Sequence, residues 1–142
     1  MKIPKFEAQT EWVKPTEFPD LRKVDEIAID LETKDPDLLK KGSGSVIGNG
    51  KVIGVAVATK FYKGYFPIAH EGGGNMDRSR VLSWLKDILE SPSTKIFHNA
   101  IYDVCWLRSM GFKINGDIAC TMIASALTCL LYTSDAADDD HC

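Results

Sequence analysis

Two groups of residues in this chain carry side chains suited to chemistry. In Ile27-Ala-Ile-Asp30-Leu-Glu32-Thr33, apolar Ile27, Ile29 and Leu31 alternate with Ala28, Asp30 and Glu32, the period-two pattern of a strand. Residues two apart on a strand share a face, about 6.5–7 Å apart from Cα to Cα. Asp30 and Glu32 therefore project together, beside the small Ala28, while the branched residues fill the opposite face. Two such carboxylates repel one another and are costly to desolvate. A divalent cation relieves both, since Mg²⁺ takes one or two carboxylates and keeps several waters. Taken alone, the pair equally suits an exposed strand end whose acids face solvent.

The second group is Phe97-His98-Asn99-Ala-Ile-Tyr102-Asp103. A short buried strand, Lys95-Ile96-Phe97, delivers Asn99 to the N-cap of a helix and sets Asp103 about one turn inside. The helix dipole favours an ionised carboxylate there, available to a metal. A plain cap and a plain first-turn acid are the simpler alternatives. Tyr102 and Trp106, one turn apart, suit a core. His70 and His98 are too isolated to be ligands, and Gly72-Gly-Gly74 lacks the Lys-Ser/Thr of a phosphate-binding loop. Lys40, Lys41, Lys51, Lys60 and Lys63 suit either a single-stranded DNA path or solvated loops.

The elements that must position these groups follow from the rest of the chain. Residues 1–23, with Pro4, Pro15 and Pro19, predict an extended arm on the core. Asp35-Pro36 predicts the N-cap and first position of one helical turn. Asn49-Gly50 predicts a tight hairpin between Val46-Ile47 and Val52–Val57, and Gly64 a turn before Tyr65–Ile68. Val81, Leu82, Trp84, Leu85, Ile88 and Leu89 share one helical face, ended by Ser91-Pro92-Ser93. The helix after Asn99 stops at Gly111; Phe112–Ile114 could form a strand, and another helix begins at Thr121. The order β-β-β-α-β-α-β-α predicts an α/β fold, a mixed sheet with three antiparallel strands followed by alternating helices and strands.

Together the two groups are far more specific than either part. Asp30-x-Glu32-Thr33 on the first strand and His98-Asn99-x-x-Tyr102-Asp103 after the fourth resemble the DEDD-type 3′–5′ exonucleases. These are the proofreading domains, ribonuclease H-like in fold, of phage and bacterial family A DNA polymerases. Asp30–Leu38, Gly50–Val57, Tyr65–Ile68 and Thr121–Ala124 are similar too, so the resemblance spans about Trp12 to Leu127. It implies that Asp30, Glu32 and Asp103 are the catalytic carboxylates, ligands of two divalent cations (Mg²⁺ or Mn²⁺) roughly 4 Å apart. It implies further that Leu31, Thr33 and Asn99 contact the substrate, a single-stranded DNA 3′ end, and that a C-terminal polymerase domain could follow. A non-catalytic nucleic-acid-binding module on the same fold is the alternative.

Two departures qualify that resemblance. Cys120 stands before Thr121-Met122 where relatives usually carry Asp, which touches local capping and not the metal ligands. A third motif, Tyr-x-x-x-Asp or His-x-x-x-Asp, is expected on a later helix, but Tyr132 is followed four residues on by Ala136. From Cys129, the run Cys-Leu-Leu-Tyr-Thr-Ser-Asp-Ala-Ala-Asp-Asp-Asp-His-Cys resembles a translated sequencing-library adapter. The native text is therefore expected to cover a partial exonuclease domain over 24–128, truncated before its last helices, with a non-native tail over 129–142. The chain itself is expected to be inactive or only very weakly active.

Composition bounds the function classes. At 142 residues and 44% apolar, the chain suits one globular domain that buries about two-thirds of its unfolded surface. No apolar run approaches the roughly 20 residues of a membrane span, and the N-terminus lacks a signal-peptide stretch, so a cytoplasmic protein is expected. Four cysteines show no CxxC pair or zinc spacing. The net charge of −3 argues mildly against nucleic acid, yet four acids lie in the tail: Asp135, Asp138, Asp139 and Asp140. Without them, 17 basic residues face 16 acidic ones, and the objection disappears.

Overall fold

The computed structural model describes residues 12–133, the side chains of 130–133 excepted. Strands β1 (Glu26–Lys34), β2 (Lys51–Ala58) and β3 (Lys63–Pro67) pair antiparallel in sequence. On the other side of β1, strands β4 (Thr94–Phe97) and β5 (Ile118–Cys120) add in parallel, giving the order β3-β2-β1-β4-β5. Helices α3 (Arg78–Leu89) and α4 (Ala100–Ser109) supply the crossovers that parallel neighbours require, and α5 (Thr121–Thr133) follows β5. The mixed α/β sheet expected from the chain is present.

Alternation makes the layers. Ile27, Ile29 and Leu31 of β1 and Val55 and Val57 of β2 are buried, and they share one core with Val81, Leu85, Ile88 and Leu89 of α3 and Trp106 and Leu107 of α4. Each such side chain, fully buried, is worth about 1.5–3 kcal/mol of transfer free energy. Ala28, Asp30, Ala56 and Ile96 line the opposite face, along an open groove of about 1060 Å³. Before β1, Phe18 stacks on Phe66 and packs against Trp84, whose Nε1 donates to the Pro19 carbonyl at 2.7 Å. Residues 1–11 and 134–142, within the expected arm and tail, lie outside the described residues. Residues 129–133 continue α5.

Three local expectations are corrected. Val46 and Ile47 form no strand: Gly44–Ile47 is a helical turn, α2, capped by Ser43 and ended by Gly48 at φ 74°. Gly48, immediately before the Asn49-Gly50 pair, adopts the left-handed conformation that stops a helix. The turn after Asp35-Pro36 begins later, as α1 (Leu38–Lys41) with Asp37 at its N-cap. Asp35 instead accepts the Gly44 N–H with both carboxylate oxygens, at 3.1 and 3.0 Å, and so fastens α2 to the end of β1. Finally, Phe112–Ile114 is irregular, and the fifth strand lies at Ile118–Cys120.

Candidate active site

Asp30 and Glu32 stand exposed on β1, on the face away from the core. Their partners across the β1–β2 ladder are Ala56 and Gly54, so nothing bulky on β2 crowds them. A bulge between Glu32 and Thr33 shifts the register immediately beyond. Bulges re-aim side chains beside active sites, and this one separates Glu32 from Thr33.

Asp103 reaches the same stretch from α4. The β1–β4 ladder ends at Ala28–Ile96, so the Leu31 N–H on that edge has no strand partner. Asp103 Oδ1 takes it at 3.0 Å, across 72 residues of sequence. The Asp103 side chain is buried, 3% exposed. Burial pushes its carboxyl up, the Leu31 N–H opposes this, and the charges of Asp30 and Glu32 add to the rise, leaving it at about 6. The buried Asp103 carboxyl therefore feels the charges of the other two.

Among the described residues, no three His, Cys, Asp or Glu side chains are already gathered closely enough to hold an ion. The chemistry of the donors nevertheless fits one. All three are carboxylates of like charge around a single backbone segment, a donor set that suits a hard, oxygen-seeking cation.

The surrounding residues divide into those the sequence marked and those it did not. Leu31 is buried beneath the site, and Thr33 Oγ1 lies 2.8 Å from the Tyr102 hydroxyl. Tyr102 OH donates to Asp35 Oδ2 at 3.0 Å, so Thr33 is the donor to Tyr102. Tyr102, expected in the core, thus ties the first motif to the second and to α2. Asn99 holds the N-cap position of α4 at φ 58°, ψ 55°, but its exposed side chain makes no capping bond. Asn tolerates this left-handed conformation better than most residues. The Ala100 N–H donates to Cys120 Sγ at 3.4 Å, and backbone N–H groups there, Ala100 first, pull the thiol down. The sulfur takes the capping role expected of Asn99. Tyr65 and His70, which no spacing rule singled out, are bonded to each other, and Tyr65 lines the groove beside Asp30.

Residues 16–133 match the family model described as 3′–5′ exonuclease. The chain belongs to the 3′–5′ exonuclease domain family of family A DNA polymerases. This exonuclease domain is 34% identical over 140 residues to a DNA-directed DNA polymerase of Pseudomonas phage M6, matching 88% of the chain and 20% of that polymerase. The solved Brucella melitensis NrnC is 23% identical, with a TM-score of 0.51 over 79% of this chain and 48% of that one. NrnC with bound Mg²⁺ is 20% identical, with a TM-score of 0.54 over 87% and 60%. An apo form of a nuclease is 27% identical, with a TM-score of 0.52 over 82% and 49%. The fold shared with these nucleases is ribonuclease H-like. The domain thus spans a fifth of the polymerase and roughly half of the nucleases it matches.

Proposed function

We propose that this domain, in its complete form, hydrolyses phosphodiester bonds at the 3′ ends of single-stranded DNA, as a proofreading exonuclease joined to a polymerase. The supporting observation is the bond from the Leu31 N–H to Asp103, which joins the second motif to the first. Asp30, Glu32 and Asp103 would hold two divalent cations, Mg²⁺ or Mn²⁺, which when bound activate water and neutralise charge developing on the scissile phosphate. The burial of Asp103 and its bond to Leu31 fix one carboxylate, while Asp30 and Glu32 remain free to turn towards the substrate. Leu31, Thr33 and Asn99 would line the terminal nucleotide: Thr33 is immobilised by Tyr102, and Asn99 offers an unengaged amide.

The phage polymerase relative supports a polymerase partner and action in the cytoplasm of a bacterial or phage-infected cell. No helix of the described residues is long and apolar enough to cross a membrane. The chain itself would be inactive, because the sequence around Tyr132 supplies neither the fourth carboxylate nor a residue to orient the water.

The test compares this chain with residues 1–128 continued by the parent gene's own downstream residues in place of 129–142, on 5′-labelled single-stranded DNA with Mg²⁺ or Mn²⁺. The extended protein should shorten the DNA from its 3′ end, its Asp30→Ala variant should not, and this chain should not. Equal rates with and without Asp30 would sink the assignment. Binding without cleavage by the extended protein would leave the non-catalytic module.

A further inference from the structure

Gly54 faces Glu32 across the β1–β2 ladder, and a side chain there would have nowhere to go. A Cβ built on Gly54 would lie 1.9 Å from the Tyr65 hydroxyl oxygen. That oxygen therefore occupies the space where the residue opposite Glu32 would project its side chain. Directly opposed Cβ positions in an antiparallel pair are about 4.5–5.5 Å apart. The Tyr65 hydroxyl is thus within reach of a Glu32 carboxylate turned towards β2.

The phenol is also held from behind. Tyr65 OH is hydrogen-bonded to His70 Nε2, and the two rings meet edge to face. His70 is in turn clamped by Asn75, which accepts its N–H at 2.7 Å and donates to its carbonyl at 2.8 Å. Glu71 then pairs with Lys34, two residues beyond Glu32, and anchors this turn to the same end of β1. A glycine that makes room, a phenol that fills it and a doubly fastened histidine converge on one candidate ligand.

We propose that Tyr65, oriented by His70, is a positioning residue for Glu32: its hydroxyl donates to the carboxylate and fixes the direction in which Glu32 offers oxygen to a divalent cation. The inference rests on the reading of Glu32 as a metal ligand. In it, the imidazole sets the phenol, the phenol sets the carboxylate, and neither Tyr65 nor His70 touches the cation. Partners that orient metal ligands in this way change metal affinity by about 10–100-fold.

The experiment titrates this chain with Mn²⁺, following free Mn²⁺ by electron paramagnetic resonance, and records metal-free thermal unfolding in parallel. Tyr65→Phe keeps the ring and its edge contact with Trp12 but removes the hydroxyl. It should weaken Mn²⁺ binding about tenfold, while metal-free unfolding stays cooperative and shifts only by the one hydrogen bond lost to His70. His70→Ala should do the same, and His70→Gln, which keeps a nitrogen near the Nε2 position, should recover part of the affinity. Gly54→Ala, which evicts the phenol without deleting it, should match Tyr65→Phe. Wild-type affinity in Tyr65→Phe, alongside lost binding in Glu32→Gln, would overturn the inference and spare the metal-site reading. Binding that survives both Glu32→Gln and Asp30→Asn, or no saturable binding by the wild type, would overturn both.

Discussion

A carboxylate that is 3% exposed and faces two others contributes little to folding in its charged form. Asp103 shows the sign directly. Its pKa is raised from 3.8 to about 6, so between those values the folded chain binds the proton more tightly than the unfolded chain. Its contribution to stability is present at low pH, falls as the pH rises through that window, and is gone above it. Asp103→Asn keeps an oxygen for the Leu31 N–H but removes the charge. In metal-free buffer at pH 7.5 the variant should be about 1–2 kcal/mol more stable than the wild type by urea unfolding, with the gap closing near pH 4. Adding Mn²⁺ should stabilise the wild type and leave the variant where it was. A variant less stable at both pH values would show that the bond to Leu31, and not charge repulsion, governs this residue. The shared strand face of Asp30 and Glu32 and the first-turn place of Asp103 were legible from short-range rules, whereas their meeting around one segment was legible only through the family resemblance. Tyr65 and His70 were not, because their relation to Glu32 passes through a glycine on a neighbouring strand.

Strand β4 shows how an element can be legible while its anchor is hidden. The short strand expected at Lys95–Phe97 is present with Thr94 added, and Lys95 within it is fully buried on the core side. The ammonium donates to the carbonyls of Ser93 and Asn115, each at 2.9 Å, to the Ser91 carbonyl, and to Ser91 Oγ at 3.2 Å. It thereby staples the loop after α3 to the loop before β5, and burial pulls its pKa down. No pattern in the chain marks a lysine as internal, since only the folded loops bring the three carbonyls together. Lys95→Met fills similar volume but leaves those carbonyls without their donor, at about 1–3 kcal/mol for each buried group left unsatisfied. Partial rescue by water should hold the total loss to about 3 kcal/mol, read as a shift in the urea midpoint at unchanged slope. A loss below 0.5 kcal/mol would mean that the two loops are held by other contacts. The misread segment at Val46-Ile47 teaches the same lesson from the opposite side. Asn49-Gly50 is a strong hairpin signal, but Gly48 and the Asp35 carboxylate together settle that stretch as a helical turn.

Stability should be spread unevenly over the whole molecule. β1 sits between β2 and β4 and carries the core face of Ile27, Ile29 and Leu31. Its amides cannot open without breaking the sheet, so they should exchange only through global unfolding. Helix α5 is the opposite case. Residues 121–128 are exposed, including Met122 at 44%, Ile123 at 51% and Leu127 at 57%. A helix this apolar is normally covered, and one of 13 residues is marginal on its own. Hydrogen exchange on dilute protein should therefore find the amides of residues 125–129 nearly unprotected, while those of residues 27–31 are the slowest in the chain. The gradient follows from packing alone and does not depend on the site chemistry. Protection in α5 equal to that in β1 would show that the helix is covered in solution. If that protection faded on dilution, the cover would be a second copy of the chain, docked through the apolar side chains that α5 leaves in water.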